Sequence, residues 1–206
     1  MLVKQAEKIT GGLSTTTKMP GRSYGLPAKE CGVGARLVTV IGSTCENCYA
    51  LKGNYTRYPD VERAAYRRLA SLGHPQWVNA MVTLVSRLKE PWFRWHDQGD
   101  VQGLDHLVNI VAVATQTPHV RHWLPTREYK IVSEYRKAGG TIPDNLVIRL
   151  SAHMVDGQPP TAYGLPTSTV VTNGNRTCPA PDQDGECGTC RNCWDINVTN
   201  VAYGQH

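Results

Sequence analysis

A chain of 206 residues suits one domain with a small appendage and is too short for several domains. Charged residues make up 19% and the formal net charge is +5, but Lys and Arg are scattered, with no run longer than a pair such as Arg67 and Arg68. A solvated surface is therefore the expected reading, and a nucleic-acid interface is the one the charge supports least. No stretch of about 18 apolar residues occurs, which excludes a membrane-spanning helix.

Residues 1–30 are rich in Gly, Ser, Thr and Pro, as in GGLSTTTKMPGRSYGLP, and are expected to form an extended N-terminal arm. The β-branched run Arg36 to Ile41 is expected as the first strand. Asp60 is placed to cap a helix from Val61 to Leu72, stopped by Gly73. A second helix is expected from Gln76 to Leu88, where Trp77, Ala80, Met81, Leu84, Val85 and Leu88 recur at helical spacing.

From there strands and helices alternate. Strands are expected at Pro91–Trp95, Val120–Leu124, Leu146–Leu150 and Ser168–Val171, with helices at Leu104–Thr115 and Glu128–Ala138. Such alternation implies an α/β domain, residues 31–175, with a mostly parallel sheet. Five expected strands are too few for a closed eight-fold barrel, which takes about 250 residues, so a partial TIM-like barrel or an open curved sheet is expected. Ligand sites gather at the carboxyl ends of parallel strands. His96, Asp97, Gly99, Asp100, Thr126, Arg127, Ser151, His153, Thr172 and Asn173 all fall at such ends.

The seven cysteines lie in two groups, with none between Cys48 and Cys178. The first is Cys31, Cys45 and Cys48; the second is Cys178, Cys187, Cys190 and Cys193, in a tail over residues 176–206. Cysteines used as small hydrophobes would be spread through the core. A CxxC turn brings two thiolates to one metal, and the CxxCxxC run from Cys187 to Cys193 resembles the start of a ferredoxin cluster run. On that reading Cys178 completes four ligands, while the first group supplies three and leaves a position open. Zinc is the competing reading, with Cys45/Cys48 and Cys187/Cys190 as two CxxC pairs of one site. Disulfides fit poorly, because the count is odd and the N-terminus MLVKQAEKITGG lacks the apolar core of a signal peptide, which points to a reducing cytoplasm.

Other groups admit a bland reading beside the functional one. His96 is a candidate proton carrier and Asp100 a candidate for orienting a sugar hydroxyl or amino group; the bland role for Asp100 is to cap the next helix. Arg127 is a candidate carboxylate or phosphate clamp, or else a partner of Asp97 or Asp100. His153 is more simply structural, and Trp77, Trp92, Trp95 and Trp123 read as core or cleft walls. There is no GxSxG, P-loop or HExxH pattern.

The segments TCENCYALKGNY, FRWHDQGD, HWLPTRE and CPAPDQDGECGTCRNCW, agreeing in order from about Ser23 to Trp194, resemble a phage and prophage family known as gene product 88. The resemblance implies an iron–sulfur protein on a fold distantly similar to the radical S-adenosylmethionine (SAM) superfamily, located in the host cytoplasm if phage-encoded. It further implies one or two [4Fe-4S] clusters, with SAM as a possible ligand of an open iron. Gly99–Asp100 and Thr126–Arg127 are the candidate substitutes for a SAM-binding segment. The chain departs from the usual radical SAM pattern: its first two cysteines are Cys31 and Cys45, rather than a CxxxCxxC loop. The alternatives are a non-catalytic cluster protein for electron transfer, sensing or partner binding, and a zinc-stabilised nucleic-acid module.

Overall fold

The computed structural model describes residues 1–172 and 174–205; Asn173 lies outside the described residues. Its seven strands form one sheet whose order across the sheet is their order in the chain. They are β1 (Ser14–Thr15), β2 (Arg22–Tyr24), β3 (Trp92–Trp95), β4 (Arg121–Thr126), β5 (Leu146–Ser151), β6 (Thr167–Val171) and β7 (Asn200–Gly204). β1 pairs antiparallel with β2, and every later neighbour is parallel. Each crossover adds its strand on the same side, so the sheet is singly wound, and it stays open with β1 and β7 at its edges.

The helices are α1 (Val3–Thr10), α2 (Gly32–Leu37), α3 (Asn54–Arg57), α4 (Pro59–Ser71), α5 (Trp77–Val85), α6 (Leu104–Thr115) and α7 (Tyr129–Lys137). Side chains alternate along a strand, so each strand offers one set to each face. Phe93, Trp95, Leu124, Leu146, Ile148 and Leu150 meet Trp77 and Met81 of α5, Leu107 and Ile110 of α6 and Val132 of α7 in one buried cluster. The opposite set meets the tail: the Trp194 ring lies 5.7 Å from that of Trp92 and 5.1 Å from that of Trp123. Trp194 Nε1 also donates to Phe93 O at 2.9 Å. β5 is accordingly buried along its whole length, as a strand covered on both faces must be.

Most expected elements are present within a residue or two, α6 to the residue. Three corrections have physical causes. Residues 1–30 are not simply extended: α1 packs Ala6 against Ala80 and Leu84 of α5, and β2 takes the place beside β3. Arg36–Ile41 is no strand but the end of α2 and a turn, with Ile41 86% exposed. The parallel place beside β3 is already filled by β2, so the β-branched run has no ladder to join. The tail supplies β7, paired with β6 from Thr167↔Asn200 to Val171↔Gly204. Among the described residues no helix is long and apolar enough to cross a membrane.

Candidate functional site

The first cysteine group is assembled at the carboxyl ends of the parallel strands, by loops rather than by a strand of its own. Cys31 follows β2 through a short turn, and its backbone caps α2. The next loop is pinned to the end of β5. Thr44 N donates to His153 O at 2.9 Å, Val155 N donates to Gly42 O at 2.9 Å, and Ser43 bridges Met154. Ser43 Oγ accepts from Cys45 N and Glu46 N, tightening the turn that carries Cys45 and Cys48. A Cβ on Gly34 would stand 3.5 Å from Cys31 Sγ and 3.7 Å from Cys45 Sγ, so both sulfurs line one small space beside α2. Cys31 also feels the charge of Cys48, Cys45, Asp100 and Arg127.

Burial pushes the Cys31 and Cys45 thiols up, with Arg127 pulling the other way. A thiol raised in this way is a weaker nucleophile, so burial here does not activate Cys31 or Cys45. A metal ion or cluster is the kind of partner that deprotonates such thiols.

Asp100 is a buried latch. Its carboxylate accepts from Thr126 Oγ1 at 2.6 Å, Arg127 N at 2.9 Å and Val101 N at 2.7 Å, tying the loop after β3 to the end of β4. Burial raises it to about 6, although those three hydrogen bonds and Arg127 lower it. It does not cap the next helix, because Gly103 occupies the N-cap of α6. Thr126 is fully engaged: its hydroxyl donates to Asp100 and accepts from Glu128 N at 3.0 Å. Arg127 donates from Nε to Thr44 Oγ1 at 3.0 Å and makes no ion pair with Asp97 or Asp100. The cysteine loop itself thus anchors this guanidinium, whose charge lowers both the Cys31 and the Cys45 thiol.

Gly99 has φ 76, and a Cβ there would stand 2.6 Å from Leu26 O, so the turn needs glycine for close approach. His96 is 3% exposed, with its ring T-shaped to that of His106 and both nitrogens unpartnered. Burial holds it well below the usual imidazole range, so it is neutral. It sits at φ 55, in the left-handed region. His153 stacks on Tyr129 at 4.5 Å between ring centres.

The second group lies under the other face of the sheet. Cys178 N donates to Ala202 O of β7 at 3.0 Å, and Cys187 N donates to Lys18 O, in the β1–β2 hairpin, at 2.9 Å. The tail thus crosses the open sheet from one edge to the other. Cys193 Sγ lies 3.2 Å from the Tyr203 hydroxyl, and burial pushes its thiol up to about 11. Cys178 feels the charge of Cys190, Cys187 that of Cys178 and Cys190, and Cys193 that of Cys178. All seven cysteines are free thiols, arranged as three and four. As placed, no group of three or more His, Cys, Asp or Glu among the described residues could hold a metal ion.

Two residues that sequence reasoning passed over organise this second region. Arg149, with no exposure at all, donates to Thr167 O, Val198 O, Asn192 O and Asp195 O at 2.9 to 3.1 Å, gripping the chain on both sides of Cys193. Arg94 places its guanidinium 4.5 Å from the Trp123 ring centre and reaches Tyr49, just after Cys48. The signal for both was a lone arginine interrupting an apolar strand, in WFRW and in LVIRLS.

Comparison with curated proteins and with solved structures finds no match, so neither bears on a likeness to the radical SAM superfamily. The family model described as Gene product 88 matches residues 1–196, a wider span than the motifs alone suggested. Matched over nearly its whole length, the chain belongs to the Gene product 88 family.

Proposed function

We propose that this chain is a phage-type iron–sulfur protein on a partial-barrel, radical-SAM-like sheet. Cys31, Cys45 and Cys48 are three ligands of a [4Fe-4S] cluster, and Cys178, Cys187, Cys190 and Cys193 hold a second centre. The observation that carries this reading is the convergence of Cys31 with Cys45, two residues on separate loops, on one space at the strand ends. The donor set fits: free thiols are the soft ligands that iron–sulfur clusters and zinc select. The singly wound order of parallel strands supports the partial-barrel reading, since it winds the sheet in one direction.

When bound, a cluster with an open iron position supplies a Lewis-acidic, redox-active corner, where SAM is the candidate ligand. The chain's own residues define its surroundings. Arg127, anchored by Thr44, offers the ends of its guanidinium to an anionic group. Asp100 and Thr126 fix the backbone of Arg127, and Gly99 permits the turn that brings Asp100 in. The experiment is anaerobic purification with iron, sulfide and zinc analysis. Iron with sulfide and visible charge-transfer absorption are expected, part of the iron lost in Cys45→Ala and part in Cys190→Ala. A colourless protein containing only zinc overturns the reading.

A second reading is favoured by one observation: Trp194 and the tail fill the face of the sheet that would otherwise be a substrate cleft. On that reading the protein is a non-catalytic cluster protein for electron transfer or partner binding. SAM then leaves the EPR spectrum of the reduced protein unchanged.

A further inference from the structure

The sheet face beneath the tail carries a surplus of buried hydrogen-bond donors. Ser23 on β2 is paired with Arg94 on β3, and Arg94 with Trp123 on β4. Register neighbours point to the same face, so these three side chains form a row. Trp123 is paired in turn with Val147, and Arg149 lies two residues further along β5, on the same face. Each contributes a buried donor with no acceptor among the described residues: Ser23 Oγ, Arg94 Nε, Trp123 Nε1 and Arg149 Nε. A buried donor without an acceptor costs about 1–3 kcal/mol, so four on one face point to an acceptor-rich group.

The charges point the same way. Among the described residues neither Arg94 nor Arg149 has a carboxylate within 4.0 Å. Arg94 faces Tyr49, Asp97, Tyr203 and Tyr55, and it acts on Cys187 and Cys193. Arg149 feels the charges of Tyr203, Cys193 and Asp195. Buried cations are costly unless compensated. Four thiolates around a core of two positive charges, whether a zinc ion or an oxidised cubane, keep two negative charges over, which two guanidinium groups balance. Their sulfurs are also hydrogen-bond acceptors.

We infer that Arg94 and Arg149 are the counter-cations of a centre held by Cys178, Cys187, Cys190 and Cys193. Arg149 fixes the chain around Cys193, and Arg94 supplies the second positive charge, with Ser23 and Trp123 beside it as donors to sulfur. This rests on the reading that the tail thiols hold a metal. Arg94 is a positioning and charge-compensating residue, not a catalytic one.

The test compares wild type, Arg94→Gln, Arg94→Lys and Ser23→Ala after anaerobic reconstitution with iron and sulfide, each in a Cys45→Ala background so that only the tail centre is read. Circular dichroism confirms the fold. In Arg94→Gln, resistance to a competing chelator falls about ten- to a hundredfold, the range typical of residues that support metal ligands. The reduction potential becomes more negative, because a nearby positive charge has gone. Arg94→Lys restores most of both. Ser23→Ala lowers chelator resistance without lowering the stability of the metal-free chain, where its hydroxyl has no partner. The inference is overturned if Arg94→Gln matches wild type, or if Arg94→Lys behaves like Arg94→Gln. If the Cys45→Ala parent itself retains no metal, the underlying reading of the tail fails instead.

Discussion

The two faces of the sheet solve the same burial problem with opposite chemistry. Beneath α5, α6 and α7 the strands offer Phe93, Trp95, Leu124, Leu146, Ile148 and Leu150, and helices at regular spacing cover them. Beneath the tail the same strands offer Trp92, Arg94, Trp123, Arg149 and Ser151, covered by a segment with little regular structure. The helix face is closed by apolar area, at roughly 25 cal/mol per Å² buried. The tail face is closed by one tryptophan, one arginine gripping four carbonyls, and four thiols. The first should hold without help, whereas the second needs something to draw its thiols together.

On the proposed reading, the largest expected effect separates the faces by metal removal. Binding free energies of structural thiolate sites are on the order of 10 kcal/mol, more than any single contact of the tail supplies. Chelation, or Cys190→Ala, is expected to raise the rate of protease cleavage between Cys178 and Cys193 by roughly two orders of magnitude. Hydrogen exchange in α6 should stay slow throughout. Equal loss of protection on both faces would mean that the sheet and tail fold as a single unit. Next in size is Arg149→Met, which strands four carbonyls and is expected to cost about 3 kcal/mol in urea denaturation. The loss should be smaller once the tail has already been released by chelation.

The same contrast explains what could be read in the sequence. The helix face repeats: Trp77, Met81 and Val85 on α5, and Leu107, Ile110 and Ala114 on α6, follow a 3.6-residue period that survives in a linear string. The rhythm of β3, α6, β4, α7 and β5 was legible for that reason. β2 was not, because Arg22–Tyr24 is only three residues long and is specified by pairing with β3. β7 was hidden for a similar reason, being paired with β6 across an irregular tail. Around the candidate site, the three-and-four grouping of cysteines is legible from spacing, and so is the position of Asp100 and Arg127 at the strand ends. The Cys45 loop is at the expected sheet end for a different reason: Arg36–Ile41 is not a strand but the end of α2 and a turn, and hydrogen bonds to His153 and from Val155 do the placing. Such long-range main-chain contacts leave no local pattern.

Acid should attack the helix face first. His122 is buried against Trp95 and Phe93, accepts no solvent, and is lowered to about 3 by burial, with His119 adding to the effect. Burial likewise lowers His106 to about 4. An unfolded histidine titrates near pH 6.5. Above that pH both states are neutral and the stability is complete. Below it the unfolded chain takes up protons that the folded chain refuses, so stability falls from pH 6.5 down to the folded values. Asp100, raised to about 6, works the other way over the upper part of that window, because its protonated form suits the folded state. The histidines outnumber it, so the net result is loss of stability on acidification. At pH 5 His122 alone accounts for about 2 kcal/mol. His122→Leu is therefore expected to flatten the fall in denaturation free energy between pH 6.5 and 5, and an unchanged slope would place the proton uptake elsewhere.

The smallest effect concerns the rim between the faces, where the first cysteine group sits. Thr44 Oγ1 donates toward Ala152 O and His153 O and accepts from Arg127 Nε, while Thr44 N holds His153 O independently. Thr44→Val removes only the side-chain part of this anchor, and is expected to cost about 1 kcal/mol in stability. Because the main-chain bonds remain, the loop should keep its place and, on the proposed reading, the protein its full complement of iron at the first group. Arg127, however, loses the hydroxyl that aims it, so an anion bound there should dissociate more readily. Titration of the reduced protein with SAM, followed by EPR, reads that second effect separately from the first. A large loss of iron in Thr44→Val would show that this rim is not pre-formed by the backbone and depends on a bound metal, as the proposed reading has the tail do.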